Sequence, residues 1–255
     1  MSITKDELKG KTALVTGASK GIGASIATHF AAQGAKVVVN YASSKEGADK
    51  VVKIITDAGG TAIAVQGDVS KEDDVNRIFE ETKNAFGTLD ILVNNAGVFE
   101  YAPIEDVTID SFQRQFNVNV LGSILTIQGA LKLFSNKGGN IINISSGSSR
   151  IPVATGSVYS ATNAALDAIT ISLSKEFSGR NIRINSLLPG AVETEGTHSN
   201  GFIGSEFEAK IISNTPLGRI GQPDDIAKVA VFLASDNAGF ITGERIFVSG
   251  GIFGL

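Results

Sequence analysis

The sequence predicts a three-layer, doubly wound α/β fold in one domain that spans residues 1–255. Short runs rich in valine and isoleucine alternate with longer helix-like segments, and no repeat, low-complexity stretch or linker interrupts them. Several of these runs are apolar at consecutive positions, which is typical of strands buried on both faces of a parallel sheet. Strands that alternate with helices through right-handed crossovers build a sheet with helices on both of its faces.

The predicted elements follow one another along the chain and give a mostly parallel seven-stranded sheet. The short apolar runs predict strands at 12–16, 36–40, 61–66, 89–94, 140–145, 182–188 and 245–248. The longer segments predict helices at 21–33, 44–58, 71–86, 110–136, 158–178 and 223–234. The last of these helices has a recognisable start, because Pro223 stands in its first turn beside Asp224 and Asp225.

The segment 191–216 breaks this alternation, since it is long, polar and contains Gly196, Gly201 and Gly204. Long connections without secondary structure are uncommon in compact domains unless they serve a function. We therefore interpret the segment as a mobile flap over a site. The alternative is a surface insertion without a role.

Composition and charge exclude several classes of function. The net charge of −4 and the isoelectric point near 5.3 argue against a nucleic-acid partner, whose binding surface is normally basic. The absence of cysteine removes thiol catalysis and cysteine-bound zinc. His29 falls in a predicted helix and His198 in a polar loop, so we predict no metal site. No apolar run approaches the ~20 residues that span a bilayer and no secretory signal is visible in residues 1–10, so we expect a cytoplasmic protein without a membrane partner.

A glycine-rich turn joins the first predicted strand to the first predicted helix. It reads Thr16-Gly17-Ala18-Ser19-Lys20-Gly21-Ile22-Gly23. Glycines in such a turn allow a tight bend, close approach of a pyrophosphate to the backbone and close packing of helix on strand. The helix N-terminus adds unpaired N–H groups and the positive end of its dipole. The turn therefore predicts a dinucleotide site.

The spacing Gly-x-x-x-Gly-x-Gly resembles the nucleotide fingerprint of the short-chain dehydrogenase/reductase family, and the resemblance covers nearly the whole chain. Three further matches to that family are Asn94-Asn95-Ala96-Gly97, Asp68-Val69, and Pro189-Gly190 followed by Thr194. The resemblance implies a Rossmann-type fold and a nicotinamide cofactor. The residues that we assign to cofactor binding are Gly17, Ser19, Lys20, Gly21, Ile22, Gly23, Asn40, Tyr41, Ser43, Asp68, Val69, Asn95, Ala96, Gly97, Pro189, Gly190, Val192 and Thr194.

The residues after the second strand indicate which nicotinamide cofactor is bound. An acidic residue about 20 positions beyond the glycines would hydrogen-bond the ribose 2′-hydroxyl of NAD(H) and repel a 2′-phosphate. The stretch Asn40-Tyr41-Ala42-Ser43-Ser44 contains no carboxylate, and Lys20 offers a cation near the same ribose. We therefore predict NADP(H). The alternative is that Lys20 is merely solvated and Asn40 is neutral to the choice.

Tyr159 is predicted to be the acid that protonates a carbonyl oxygen as a hydride arrives. A tyrosine serves in this way when its pKa falls from about 10 toward the working pH. Ser146 stands at the family's usual distance upstream and would hold the substrate oxygen, while Asn119 matches the asparagine that orders a water in the proton relay. Asn119 also fits a helix-bending residue with a satisfied side chain. The choice of Ser146 rests on spacing alone, because three more serines adjoin it: Ser145, Ser148 and Ser149.

Position 163 departs from the family motif Tyr-x-x-x-Lys, because Asn163 stands where the family has lysine. Positions 159 and 163 share one face of a helix. By resemblance, a lysine there would lower the tyrosine pKa and hydrogen-bond the nicotinamide ribose, whereas Asn163 is shorter and neutral. Three explanations stay open: a natural variant with weak or altered activity, an engineered inactive form, and a binding protein that has lost the chemistry.

These observations together predict an oxidoreductase that transfers a hydride between NADP(H) and a ketone or secondary alcohol, with activity weakened at position 163. The alternatives are a catalytically inactive NADP(H)-binding protein and a 3-oxoacyl-carrier-protein reductase. The sequence leaves the substrate open. An apolar pocket lining and ordinary packing explain equally well four apolar residues: Ile151, Pro152, Val153 and Phe202. Family resemblance further implies a homotetramer.

Overall fold

A computed structural model describes residues 6–199 and 201–253 of the chain. Its strands, in chain order, are β1 Thr12–Val15, β2 Lys36–Tyr41, β3 Thr61–Gln66, β4 Ile91–Asn94, β5 Gly139–Ile144, β6 Ile182–Pro189 and β7 Arg245–Val248. Every predicted strand is present, and the largest shift is at the start of β4. That strand begins at Ile91 because Leu89 forms only an isolated bridge with Phe134.

The strands lie in one sheet with the order β3-β2-β1-β4-β5-β6-β7, and each neighbouring pair is parallel. The order turns outward in both directions from β1 and β4. Their carboxyl ends therefore border the crevice where ligands bind in sheets of this kind. The predicted doubly wound, Rossmann-type architecture is confirmed, and the described sheet is parallel throughout.

The helices cover both faces of the sheet. They are α1 Gly21–Ala32, α2 Lys45–Asp57, α3 Glu72–Phe86, α4 Ile109–Phe116, α5 Gly122–Leu133, α6 Ser157–Glu176, α7 Glu195–Ser199, α8 Glu206–Asn214 and α9 Pro223–Ala234. Side chains of α1, α2 and α9 pack on one face, where they meet Ala13 and Val15 of β1. Side chains of α3, α5 and α6 pack on the other face, where they meet Leu14. Consecutive residues of β1 thus serve opposite cores, which explains why the strand is apolar at consecutive positions.

The prediction of one continuous helix over 110–136 is wrong. A π-helical segment, Asn117–Leu121, separates α4 from α5. Its central residue, Asn119, exchanges hydrogen bonds with both backbone groups of Val98, at 2.8 Å each. This long-range pairing lies outside the helix, so the local sequence pattern gives no sign of it. Single π-helical turns are frequent at functional sites.

The flap 191–216 is more ordered than the polar composition predicts. It contains α7 and α8, and His198, which was expected in a loop, belongs to α7. Residue 200, inside this segment, lies outside the described residues, as do residues 1–5 and 254–255 of the predicted domain. A parallel bridge between Val192 and Gly221 joins the base of the flap to the segment before α9.

A chain of buried polar side chains ties the carboxyl ends of the central strands to the helices behind them. Thr126 donates to Asn94 at 2.6 Å, and Asn94 donates to Asn143 at 2.9 Å. Asn143 donates to Thr170 at 2.8 Å, and Thr170 meets Ser186 at 2.8 Å. All five side chains are buried. Satisfied networks of this kind fix strand positions, because leaving any member unpaired is costly.

Within the described ranges, no helix is both long and apolar enough to cross a membrane.

Candidate functional site

The glycine turn begins at the carboxyl end of β1 and bends twice through left-handed backbone. Gly17 has φ +60° and Gly21 has φ +58°, a region that favours glycine. Gly23 faces a tight contact instead, because a Cβ there would stand 2.4 Å from Nδ2 of Asn95. Ser19 and Ile22 are partly buried and Lys20 is exposed at the start of α1. The first N–H group of α1, that of Gly21, donates to the carboxylate of Glu195 at 3.0 Å.

The segment after β4 is locked onto this turn. The Asn95 side chain donates to the carbonyls of Thr16 at 2.9 Å and Gly17 at 3.1 Å. The Thr16 hydroxyl accepts from the backbone N–H groups of Asn95 and Ala96, at 3.0 Å each. Gly97 stays exposed beside this contact. The two motifs singled out in the sequence therefore form one surface at the head of the crevice.

Asn40 lies at the end of β2 with its side chain directed into the protein. It is 1% exposed, accepts from the Gly17 N–H at 3.2 Å and donates to the carbonyls of Val65 and Gly67 at 3.3 and 3.0 Å. Asn40 therefore shapes the glycine turn, and direct contact with a ribose would break these bonds. A cofactor-binding role for this side chain stays a prediction.

The first turn of α2 packs against the glycine turn and carries a lysine. A Cβ on Gly47 would stand 2.7 Å from the Ser19 carbonyl, so the two segments touch. Lys45, in the same turn of α2, is exposed and pairs with Asp49 at 2.5 Å, which raises the pKa of Lys45. Tyr41 is buried in the core and Ser43 is exposed. Sequence reasoning missed Lys45, although its place directly after residues 40–44 was a usable signal.

Asp68 and Val69 lie beyond the end of β3, on the side of the crevice bordered by β2. The Asp68 carboxylate accepts from the hydroxyl and the N–H of Ser70, at 2.7 and 3.0 Å. Val69 is buried against α5, where a Cβ on Gly122 would meet it at 2.7 Å. These contacts fix the loop whose two residues are predicted from the sequence to bind the cofactor.

The segment after β6 closes the other side of the crevice. Pro189 is buried and pairs with Val248, and a Cβ on Gly190 would stand 3.1 Å from Ser249. Val192 is also buried, whereas Thr194 is partly exposed and lies over Gly21, where its Cγ2 would be 3.4 Å from an added Cβ. The base of the flap therefore contacts the glycine turn directly.

Tyr159 lies in the first turn of α6, half-buried, with Ser146 close to its phenol. Ser146 Oγ accepts from the hydroxyl of Ser148 at 3.0 Å and from its N–H at 3.2 Å. The other serines face elsewhere: Ser145 donates to the Asn163 carbonyl at 3.3 Å, and Ser149 to Asp167 at 2.6 Å. The catalytic role assigned to Ser146 from its spacing stays a prediction.

Asn163, predicted from the sequence to stand at the motif's lysine position, is buried. Its Nδ2 donates to the main-chain carbonyl of Tyr159 at 2.8 Å. Burial raises the pKa of the Tyr159 phenol, while hydrogen bonding by Ser146 and Asn163 acts in the opposite direction. Across residues 6–199 and 201–253, no lysine or arginine contributes to this pKa. The electrostatic role that the resemblance assigns to a lysine at this position stays a prediction.

Asn119 is brought next to α6 by the π-helical segment. Its Nδ2 donates to the Thr162 hydroxyl at 3.1 Å, in addition to the Val98 carbonyl. The main-chain carbonyl of Asn119 accepts from the Ser123 hydroxyl at 3.0 Å. The side chain is satisfied by protein groups alone, as expected for a structural residue. Its part in a proton relay stays a prediction.

Two aromatic residues that the sequence did not single out stand beside Tyr159. The ring centroids of Phe99, Tyr101 and Tyr159 lie 6.0 to 6.1 Å apart in each pair, with tilted or edge-on planes. Phe99 is 40% exposed and Tyr101 52% exposed, so both leave ring surface accessible beside Tyr159. Desolvation raises the pKa of Tyr101 to about 12. We call Phe99 and Tyr101 the aromatic wall.

No group of three or more potential metal-ligating side chains lies together in the described part of the chain. His29 accepts or donates within α1, through contacts with Ser25, and His198 pairs with Glu193 at 2.9 Å.

The chain is similar along most of its length to known oxidoreductases. A family model described as enoyl-(acyl carrier protein) reductase matches residues 17–252. An uncharacterized oxidoreductase of Methylorubrum extorquens is 56% identical over 246 residues, which cover 96% of this chain and 99% of that protein.

Two solved structures share the whole fold. The short-chain dehydrogenase/reductase from Serratia marcescens has a TM-score of 0.91 and 34% identity, and the match covers 97% of this chain and 99% of that one. The angucycline C-6 ketoreductase LanV with bound NADP has a TM-score of 0.91 and 37% identity, with 97% of each chain covered. The chain therefore belongs to the short-chain dehydrogenase/reductase family of oxidoreductases.

Proposed function

We propose that the protein reduces a ketone with NADPH, using Tyr159 as the proton donor, and that Asn163 makes this reaction slow. The observation that carries the proposal is the pairing of Tyr159 with Ser146 at the mouth of the crevice, without a cation to lower the phenol pKa. A tyrosine whose pKa is raised remains protonated at neutral pH. It can therefore donate a proton, but it is a poor base for removing one.

The glycine turn fits a dinucleotide. Gly17 and Gly21 present backbone without side chains, and the Gly21 N–H already donates to a carboxylate, that of Glu195, at 3.0 Å. This N–H group therefore already donates to an anion in the folded protein, as N–H groups at a helix N-terminus donate to a pyrophosphate. When bound, the nicotinamide supplies the hydride. The residues expected to hold the dinucleotide are those of the glycine turn, Asn95 to Gly97, and Thr194.

The chain's own groups perform the proton chemistry. The Ser146 hydroxyl donates a hydrogen bond to the ketone oxygen and holds that oxygen beside the phenol. Tyr159 then transfers its proton to the oxygen as negative charge develops there. Asn163 supports this geometry with a dipole, which stabilises the resulting phenolate less than an ammonium would. If the loss amounts to about two pKa units, it corresponds to roughly 2.7 kcal/mol.

The choice of NADP(H) is supported by charge. Lys20 is exposed on the glycine turn and Lys45 on the adjoining turn of α2, and no carboxylate occupies residues 40–44. Two cations at this place favour a ribose 2′-phosphate over a bare hydroxyl. The related ketoreductase LanV, solved with NADP, is consistent with this choice.

The substrate is proposed to carry a ring next to its carbonyl group. The aromatic wall offers two rings within 6.1 Å of the Tyr159 ring, and Ile151 and Val153 are exposed nearby in sequence. Offset and edge-on contacts between rings add to the binding that area burial gives. An acyl thioester on a carrier protein is the second candidate.

The experiment is NADPH consumption over a panel of cyclic ketones, aliphatic ketones, sugars and acyl thioesters. The chain is compared with Asn163→Lys and with Asn163→Met, which has a similar length without charge. We expect Asn163→Lys to turn over at least a hundredfold faster and Asn163→Met to stay slow. Comparable rates for all three would contradict the mechanism. NADPH binding without turnover by any of them would favour a binding protein, and preference for thioesters would favour a carrier-protein reductase.

A further inference from the structure

The flap places a carboxylate on the cofactor-binding turn. Glu195, the first residue of α7, accepts a hydrogen bond from the Gly21 N–H at 3.0 Å through its Oε2. The two residues are 174 positions apart in the chain. Glu195 is exposed, so this contact is accessible to solvent and to competing anions.

The Gly21 N–H is the first of α1 and lies at the positive end of the helix dipole. The same group is predicted to face the pyrophosphate. We propose that Glu195 is an internal competitor for the cofactor, a latch whose carboxylate occupies the phosphate position and must leave before the dinucleotide binds. The proposal rests on the cofactor site described under Proposed function, but not on ketone reduction.

Local hydrogen bonds hold Glu195 in this position. The N–H of Thr194 donates to the Thr197 hydroxyl at 2.8 Å, and the N–H of Thr197 donates back to the Thr194 hydroxyl at 3.2 Å. This reciprocal pair fixes the first turn of α7. Because Thr194 itself lies over Gly21, the next side chain is directed onto the turn.

The base of the flap is anchored independently of the latch. Glu193 accepts from Gln222 at 2.8 Å and pairs with His198 at 2.9 Å. Its N–H donates to the Gly221 carbonyl at 2.9 Å. Loss of the Glu195 contact therefore leaves the flap attached to the segment before α9. The latch can open by movement of the Glu195 side chain alone.

Removal of the latch should tighten cofactor binding for two reasons. The dinucleotide no longer displaces a hydrogen-bonded carboxylate, and it no longer meets a negative charge beside its phosphates. A solvent-exposed hydrogen bond to a charged group of this kind corresponds to about threefold to tenfold in affinity. The effect should be larger at low salt, where charges are less screened.

The experiment measures NADPH affinity by its fluorescence and pyrophosphate affinity by calorimetry, for the chain, Glu195→Gln and Glu206→Gln. Glu206 is an exposed carboxylate on α8 of the same flap, so its variant removes equal charge away from Gly21. We expect Glu195→Gln to bind both probes about threefold to tenfold more tightly and Glu206→Gln to match the unaltered chain. Unchanged or weaker binding in Glu195→Gln would overturn the latch.

Hydrogen exchange of the Gly21 N–H gives a second readout without any ligand. The contact predicts faster exchange at Gly21 in Glu195→Ala than in the unaltered chain, with unchanged exchange at the buried residue Ile26. Equal exchange at Gly21 would also overturn the proposal. Neither measurement involves a ketone. Absent turnover would therefore refute the proposed reaction and leave the latch standing, whereas failure of the latch measurements would refute the latch and leave the proposed reaction standing.

Discussion

Asn163 Nδ2 donates to the main-chain carbonyl of Tyr159 at 2.8 Å, one helical turn earlier. Part of the hydrogen-bonding capacity of Asn163 is therefore used by the backbone of Tyr159 and not by its phenol. A lysine at this position has a stem long enough to carry its charge beyond that carbonyl. The buried amide stays within the first turns of α6. The phenol of Tyr159 is therefore surrounded by dipoles and aromatic rings, and burial decides the direction of its pKa.

The first prediction concerns the pH dependence of ketone reduction. Because burial raises the pKa of the Tyr159 phenol from its ordinary value, the protonated acid persists, and kcat/KM should stay level until the pH passes the ordinary tyrosine value of about 10 and then fall. Asn163→Lys should move this fall downward by about two pH units, since an ammonium stabilises the phenolate. The measurement is kcat/KM over a pH range from about 6.5 to about 10.5.

Asn163→Met provides the control, because it fills similar space without charge and should keep the high-pH fall of the unaltered chain. A fall below about pH 9 in the unaltered chain would show that another group has lowered the tyrosine pKa.

The second prediction separates catalysis from cofactor binding. Tyr159→Phe removes the donated proton and should lower turnover by at least about a hundredfold, while the NADPH dissociation constant changes little. Tyr101→Phe keeps the ring of the aromatic wall and should cost less than about tenfold. Steady-state rates and NADPH fluorescence titrations check both variants. Equal losses in the two would identify the phenols as binding groups and not as acids.

The sequence carried most of the fold because local patterns determine it. Consecutive apolar runs such as β1 show burial on both faces, and the glycine turn shows the start of α1. The π-helical segment around Asn119 was not predictable, because its cause is a contact with Val98 from another part of the chain.

The site was predictable as a set of motifs but not as a set of orientations. Asn40 stands where a ribose-binding side chain is expected, yet its amide is directed into the glycine turn. The contact between Glu195 and Gly21 depends on how the flap folds back across the sheet, which no spacing encodes. The aromatic wall likewise depends on where the loop after β4 passes α6.

The third prediction concerns the packing of the glycine turn. Gly23→Ala places a Cβ 2.4 Å from the Asn95 side chain and 2.8 Å from the Gly17 carbonyl, and rigid backbone lies on one side. We expect the free energy of unfolding to fall by about 2 kcal/mol. Gly196→Ala, whose Cβ would meet only ordinary contacts at 3.5 Å and beyond, should change it by less than about 0.5 kcal/mol. Urea unfolding at neutral pH measures both, and equal stability of the two variants would contradict the assigned contact.

The fourth prediction concerns acid stability at the start of α9. Asp225 accepts two hydrogen bonds from Arg219, at 2.6 and 3.0 Å, and one from the Gln222 N–H at 2.8 Å. These bonds lower the pKa of Asp225 from 3.8 to about 2. A group whose pKa is lowered by folding adds stability above its unfolded pKa and loses it as the pH falls through the folded value. The contribution of Asp225 should therefore be complete above about pH 4 and vanish toward pH 2.

Asp225→Asn should cost about 1 kcal/mol at pH 7, less than the full pKa shift implies, because Arg219 is half exposed and solvent screens the pair. The difference from the unaltered chain should shrink as the pH is lowered from about 4 toward about 2. Asp73→Asn, which removes an exposed charge from the first turn of α3, controls for net charge. Urea unfolding at several pH values tests this, and a difference that is constant with pH would mean that the carboxylate acts only by its shape.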